Sequence, residues 1–203
     1  MKLYGAPNPA PNPRRVRVFL AEKGVDLPEI AVDMRSGAHK APEFLAKNPA
    51  GQLPVLELDD GRTLSESVAI CRYLEALHPS PPLFGRDAFE AAEIDMWVRR
   101  VEFLVTSPVG MFWRHAHPFT ATLIEQFRDF GESNRANTQR AMQWLDRQLA
   151  TRDYVAGEGF SMADICALTT VDFAGFIGLA PLADRPALAD WRARIGERPS
   201  TAA

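Results

Sequence analysis

The sequence predicts an α/β unit followed by an all-helical unit. Three observations predict it. Strand and helix signals alternate over the first ~80 residues. A proline cluster, Pro79-Ser80-Pro81-Pro82, interrupts the chain. Beyond it strand signals stop and only helical spacing remains. The expected boundaries are 1–78 for the α/β unit, 79–85 for the linker and 86–203 for the helical unit.

The elements follow in order. Lys2 to Gly5 is a short strand, and Pro7-Asn8-Pro9-Ala10-Pro11-Asn12-Pro13 cannot be helical in its middle. A helix follows with Val16, Phe19 and Leu20 on one face, ending at Gly24. Leu27 to Val32 reads as a second strand and Pro42 to Lys47 as a short helix. Val55-Leu56-Glu57-Leu58 and Arg62-Thr63-Leu64 flank Asp59-Asp60-Gly61, a hairpin signal with a glycine placed for positive φ. Glu66 to Leu77 reads as helix, with Ile70, Leu74 and Leu77 on one stripe. The order is βαβ, a helix, then ββα.

In the second half, Ile94, Trp97, Val98, Val101, Leu104 and Val105 recur at helical spacing. Met142, Leu145 and Leu149 mark a second helix. Met162, Ile165 and Cys166 begin a third, and Leu188, Trp191 and Ile195 mark a last one. Ser161-Met162-Ala163-Asp164 has the form of a capping box opening the third.

Composition restricts the function. The chain has 203 residues, 46% hydrophobic and 24% charged, with a net charge of −3. That balance fits a folded globular protein and supplies no basic patch for nucleic acid. No apolar run reaches the ~20 residues that span a bilayer. The N-terminus lacks an apolar signal core, so a cytoplasmic location is expected. Cys71 and Cys166 stand in no CxxC or metal-ligand spacing and read as buried, inert thiols. His115 and His117, without further nearby ligands, read as loop residues rather than a metal site.

From Gly37 to Leu74 a series of short motifs occurs in one order. It reads His39-Lys40, Phe44-Leu45, Asn48-Pro49, Gly51-Gln52-Leu53-Pro54, Leu64-Ser65-Glu66-Ser67 and Ile70-Cys71-Arg72-Tyr73-Leu74. With the Ser161 to Asp164 box, this chain resembles the soluble glutathione S-transferase family over nearly its whole length. The resemblance implies a thioredoxin-like first domain with a mixed four-stranded sheet, and a helical bundle after it. It implies glutathione as co-substrate, no metal, a hydrophobic small-molecule electrophile, a role in detoxification and a homodimer.

The resemblance also implies site residues. Glutathione carries two carboxylates, an ammonium and a thiol. Leu53, before a cis Pro54, would present its backbone to the cysteinyl unit; an ordinary trans proline opening an edge strand is the alternative. Glu66 and Ser67, at a helix start, would hold the γ-glutamyl ammonium and carboxylate; simple capping by Ser65 or Ser67 is compatible with this. His39 would meet the glycyl carboxylate, with Lys40 beside it and Gln52 as a further donor. A solvated His39-Lys40 loop is an equal alternative. Phe103, Met111, Phe112 and Trp113, with His115 and His117, would shape the second-substrate pocket or belong to the bundle core.

The thiol activator departs from the better-known classes. A thiol of pKa ~8.5 is only about 3% ionised at pH 7. One charge-assisted hydrogen bond, about 1.5–3 kcal/mol, is enough to make the thiolate abundant. The family's serine or cysteine position, counted back from Glu22-Lys23-Gly24, falls on Ala10. Two residues on stands Asn12, and a bacterial, nu-like subgroup places an asparagine there, so Asn12 is the expected activator. An N-cap role for Asn12 before Pro13 is the competing reading, with a backbone N–H of the loop or Asn8 then taking the thiol. Tyr4, in the first strand, is too early. Arg14 and Arg15 oppose the helix dipole; they either attract anionic glutathione or are merely exposed. The same thiolate would also serve disulfide or peroxide reduction, and Ala10 leaves open a non-catalytic binding or regulatory protein.

Overall fold

A computed structural model describes all residues from Met1 to Ala203. It divides into two compact units. The first comprises Met1–Leu83 together with Pro199–Ala203, and the second Phe84–Arg198.

Unit one contains β1 (Lys2–Gly5), α1 (Pro11–Lys23), β2 (Glu29–Ala31), α2 (Pro42–Leu45), β3 (Val55–Glu57), β4 (Thr63–Ser65) and α3 (Ser67–Leu77). The sheet order is β2-β1-β3-β4. β1 runs parallel to β2 and antiparallel to β3, with Tyr4 opposite Val55, and β3 pairs antiparallel with β4, with Leu56 opposite Leu64. This is the thioredoxin-like, mixed four-stranded arrangement. The parallel pair needs the α1 crossover; the antiparallel pair needs only the Asp59-Asp60-Gly61 turn, where Gly61 sits at φ 86°. α1 packs on α3, and Leu3, Val16, Phe19, Leu56, Ile70 and Leu74 are enclosed at this core. A smaller cluster joins Phe44 to Ala6, Leu53 and Val55.

α1 begins at Pro11 with Ala10 as N-cap, so the competing reading of Asn12 as the cap before Pro13 does not hold. Prolines at the first and third helical positions are tolerated because those N–H groups have no intrahelical acceptor anyway. Leu77, expected on the buried stripe, is 47% exposed at the frayed last position of α3. The sequence reading also grouped 199–203 with the helical unit. In the structure Arg14 donates to the Thr201 and Ala203 carbonyls, at 2.7 and 3.3 Å, and the Ser200 hydroxyl donates to Glu22.

Unit two contains α4 (Ala88–Arg100), a π-helical turn (Val101–Thr106), α5 (Ser107–His115), α6 (Arg128–Leu149), α7 (Met162–Phe176) and α8 (Pro186–Gly196). α7 is enclosed along most of its length, from Met162 through Val171. Trp97, Met142, Leu145, Ile165 and Trp191 are among the large side chains with almost no exposure. Cys71 and Cys166 are both buried and in no disulfide.

The predicted capping box is present. Ser161 Oγ accepts from the Ala163 N–H at 3.3 Å, and the Asp164 carboxylate accepts from the Ser161 N–H at 3.1 Å. Leu104 departs from its predicted core position and is 50% exposed. The cause is the π-helical turn: hydrogen bonds to the fifth residue widen the turn and rotate Phe103 and Leu104 outward, while Val101 and Val105 stay enclosed. No helix is long and apolar enough to cross a membrane.

Candidate active site

Four segments of unit one carry the predicted glutathione residues: the start of α1, the turn before β3, the 3-10 turn Ala38–Lys40, and the start of α3.

The turn before β3 is built from its own sequence. Asn48 is buried and makes two backbone bonds, donating to the Gln52 carbonyl at 2.9 Å and accepting from the Ala50 N–H at 3.1 Å. Gly51 adopts φ 56°, and a Cβ there would stand 2.8 Å from the His39 carbonyl oxygen, so both conformation and space require glycine. Lys40 Nζ donates to the Ala50 and Gly51 carbonyls at 3.1 and 2.9 Å. The turn leads into Leu53–Pro54, whose peptide bond is cis, at the head of β3. Leu53 and Pro54 are buried, and the Gln52 side chain is exposed.

Burial, reinforced by the positive charge of Lys40, holds the pKa of His39 below the usual histidine value. Its Nδ1 is buried and makes no hydrogen bond. The nearby permanent cation, Lys40, is engaged with the Ala50 and Gly51 carbonyls.

At the start of α3, Glu66 is the N-cap with φ 69° and ψ 114°, a region non-glycine residues seldom occupy. No side chain caps this helix, so neither Ser65 nor Ser67 takes the capping role. Ser67 is the first helical residue and is 5% exposed. The N–H groups of this first turn and the Ser67 hydroxyl form an anion-favouring end, with the exposed Glu66 carboxylate next to it. Backbone strain of this kind concentrates where a ligand is held.

At the start of α1, Pro11 and Pro13 have no N–H, and the Arg14 N–H already bonds to the Ala10 carbonyl at 3.2 Å. Among the first three helical positions, only Asn12 therefore has a backbone N–H to offer. Its side chain is exposed and makes no hydrogen bond; it is not a cap. Both of its donors lie at the positive end of the α1 dipole. Tyr4 is committed elsewhere, donating to Glu57 Oε2 at 2.9 Å. Asn8 is committed too, to Arg17 and to the Ala203 carbonyl.

Arg14 and Arg15 are not exposed, as one reading of the sequence had them: Arg14 is 9% and Arg15 2% exposed. Arg15 Nη1 lies 3.5 Å from Ser67 Oγ. The sequence singled out this arginine but gave no way to see its target, 52 residues away. The parts played by Asn48 and Lys40 were likewise missed; the motif contained both, but which backbone atoms they bind is a tertiary fact.

In unit two the predicted pocket residues separate. Phe103 is 70% exposed, and Met111 and Trp113 are half-buried. Phe112 is a core residue instead of a wall: it is 3% exposed, with the Arg135 guanidinium 4.5 Å over its ring. Trp113 stacks on Phe119, at 5.3 Å between centroids, and meets Phe173 edge-on at 5.2 Å. His115 and His117 accept backbone N–H groups of Phe127 and Phe119 at 3.4 and 3.2 Å. His117 thus closes a local turn, and His115 ties the end of α5 to the residue before α6.

Comparison with known proteins agrees with this layout. Residues 10–77 match the glutathione S-transferase N-terminal domain family, and residues 114–199 match the glutathione S-transferase C-terminal domain family. Glutathione S-transferase 2 of Saccharomyces cerevisiae is 38% identical, over 98% of this chain and 87% of its own length. The crystal structure of Gtt2 from the same yeast superposes with a TM-score of 0.94 at 37% identity, covering 100% of this chain and 99% of that one. A class Gtt2 glutathione S-transferase of Vibrio parahaemolyticus gives a TM-score of 0.86 at 31% identity, covering 99% and 95%.

Proposed function

The chain belongs to the glutathione S-transferase family and is a glutathione transferase, and from that premise we propose how its residues divide the work. Leu53, at the cis step into β3, pairs its backbone with the cysteinyl unit of glutathione. Ser67 and the first N–H groups of α3 take the γ-glutamyl carboxylate, and Glu66 takes the ammonium. His39 and Gln52 donate to the glycyl carboxylate. Asn12 holds the thiolate through its side-chain amide, in the manner of the nu-like, asparagine-type members. The second substrate is a hydrophobic electrophile, meeting Phe103, Met111 and Trp113. The protein works as a cytoplasmic homodimer in detoxification, with no metal.

The observation that carries this reading is the strained Glu66 at the uncapped start of α3, with Ser67 buried behind it. A helix that ends in a strained residue, and leaves its N–H groups without a side-chain cap, is built to receive an external anion. The chemistry then runs simply. Asn12 donates to sulfur, the thiol proton leaves to solvent, and the retained thiolate attacks the electrophilic carbon, either displacing its leaving group as an anion or adding to an activated double bond, whose carbanion then takes a proton from solvent. An amide donor lowers the thiol pKa without itself becoming charged or covalently modified.

The test is a pH titration of thiolate ultraviolet absorbance for glutathione bound to the wild type and to Asn12→Ala. A lowered thiol pKa that returns toward the free value in Asn12→Ala supports the assignment. A lowered pKa in both proteins assigns the thiolate to the Asn12 backbone N–H and the α1 dipole. An unshifted pKa in the wild type overturns the mechanism. Turnover of a model aryl halide against a small disulfide separates conjugation from disulfide reduction on the same thiolate.

A further inference from the structure

The loop into α1, Pro7–Pro13, carries four prolines in seven residues. None of the four has an N–H, so the loop has few backbone donors with which to hold its own shape. Within it the Ala10 N–H donates to the Pro7 carbonyl at 3.2 Å. Side chains supply the other ties. Asn8 Oδ1 accepts from Arg17 Nη2 at 2.5 Å, and Arg17 Nη1 donates to the Ala6 carbonyl at 3.0 Å. Asn8 Nδ2 donates to the Ala203 carbonyl at 3.2 Å, and Arg14 Nε donates to the same oxygen at 3.3 Å. Arg14 Nη2 donates to the Thr201 carbonyl at 2.7 Å. The segment Pro199–Ala203 belongs to unit one and packs along α1. Arg14, Val18 and Glu22 follow at four-residue spacing and share one face of that helix. Val18 is fully buried, and Ser200 donates to Glu22. The segment thus spans α1 from Glu22 to Arg14, and one carbonyl oxygen joins the helix start to the loop before it. Asn12 lies in the chain between the two anchors, Asn8 and Arg14, and its own side chain makes no hydrogen bond.

We infer that Arg14 is a positioning residue for thiolate activation: by gripping the Thr201 and Ala203 carbonyls it fixes where the start of α1 presents the side-chain amide of Asn12. This rests on the proposed reading of Asn12 as the group that holds the sulfur, and it adds the brace that aims that amide. Arginine suits the task. Its planar guanidinium carries donors in fixed directions, so it holds two carbonyls at once; a lysine ammonium is a point charge on a flexible stem. At 9% exposure the guanidinium is largely shielded from water that would compete for those carbonyls. A hydrogen bond weakens steeply as its angle and distance drift. Loosening the brace therefore costs thiolate stabilisation, while the rest of the tripeptide, bound at the turn before β3 and the start of α3 in the proposed assignment, stays in place.

The thiol pKa of bound glutathione, read by thiolate ultraviolet absorbance, tests this in Arg14→Lys, in Asn12→Ala and in the double variant. Arg14→Lys keeps the charge and loses the fork. It should make the bound thiol about 3- to 10-fold weaker as an acid. It should bind S-methylglutathione, which has no thiol to hold, within about twofold of wild type. Added to Asn12→Ala, it should weaken the acid no further, because the brace then has nothing to aim. An unchanged thiol pKa in Arg14→Lys overturns the brace. An equal effect on both backgrounds also overturns it, since Arg14 then acts independently of Asn12. Weakened binding of S-methylglutathione overturns it too, by making Arg14 a residue of general stability. These three outcomes leave the reading of Asn12 standing. A wild-type thiol pKa in Asn12→Ala removes that reading, and the brace with it. Should Arg14→Lys not fold, Asn8→Ala decides in its place, because exposed Asn8 supplies the other bond to Ala203. The same weakening of the acid, absent on the Asn12→Ala background, supports the brace, and an unchanged thiol pKa refutes it.

Discussion

Asn48 holds the Gln52 carbonyl at 2.9 Å with its side-chain NH₂ while its Oδ1 accepts the Ala50 N–H, so one buried amide fixes both ends of the turn that leads into Leu53–Pro54. Removing it leaves two backbone groups to find other partners. Asn48→Ala should cost about 1–3 kcal/mol. For a chain of this size that is a Tm lower by roughly 2–12 °C, read by thermal denaturation. KM for glutathione should rise more than kcat falls, because in the proposed assignment the turn presents the cysteinyl unit and does not touch the sulfur. A variant with unchanged KM would show that the turn keeps its shape without Asn48.

His39 makes binding pH-dependent in one direction. Burial and the Lys40 charge lower its pKa, so it gains a proton only below the ordinary histidine range near 6.5. The protonated ring is the stronger partner for a glycyl carboxylate. Binding of S-methylglutathione, which has no thiol to titrate, should therefore tighten as pH falls below about 6.5 and be flat above it. In His39→Gln the dependence should vanish. Calorimetry between pH 5 and 8 reads this, and a wild-type profile without the acid limb removes His39 from the site.

Glu57 ties three side chains on the sheet. It pairs with Lys2 at 2.9 Å and with Lys47, and it accepts from Tyr4 at 2.9 Å. The hydrogen bond from Lys47 contributes most, followed by Lys2 and Tyr4, and together they lower its pKa from 4.5 to about 2. Its folded pKa lies below its unfolded one, so its stabilisation is complete above pH 4.5 and fades as pH falls toward 2. Glu57→Gln should unfold with a shallower loss of stability between those values than the wild type, in acid titrations followed by circular dichroism. Parallel curves would mean the cluster contributes nothing.

Asp164 accepts four donors at the start of α7: the Val155 N–H at 2.9 Å, the Ser161 N–H and hydroxyl, and Trp191 Nε1 at 3.0 Å. It is fully enclosed, and burial pushes its carboxyl up to about 6 against the pull of these bonds. Asp164→Ala would strand four buried donors and should cost about 3–5 kcal/mol. Denaturant unfolding should show a loss of that size. The glutathione KM of whatever protein folds should be near wild type, since this box belongs to unit two and the proposed glutathione residues to unit one. A loss under 1 kcal/mol would mean the donors find other acceptors.

Much of this protein was fixed by its sequence. The change from alternating strand and helix signals to helical spacing alone marked the fold class. The Asp59-Asp60-Gly61 hairpin and the Ser161–Asp164 box are local devices, set by residues a few positions apart, and both occur as read. The ordered motifs from Gly37 to Leu74, with the Ser161–Asp164 box, carried the resemblance to the family. Tertiary structure decided what depends on distant partners or on a change of helical geometry. The π-helical turn shifts the register at Phe103 and Leu104, which a constant 3.6-residue period cannot anticipate. Burial lowers the pKa of His39, and residue identity does not report burial. The reach of Arg15 to Ser67, and of Arg14 to residues 201 and 203, joins segments 52 and nearly 190 residues apart. Local pattern carries the conformation of each element, but the direction of a long charged side chain is set only when the elements pack.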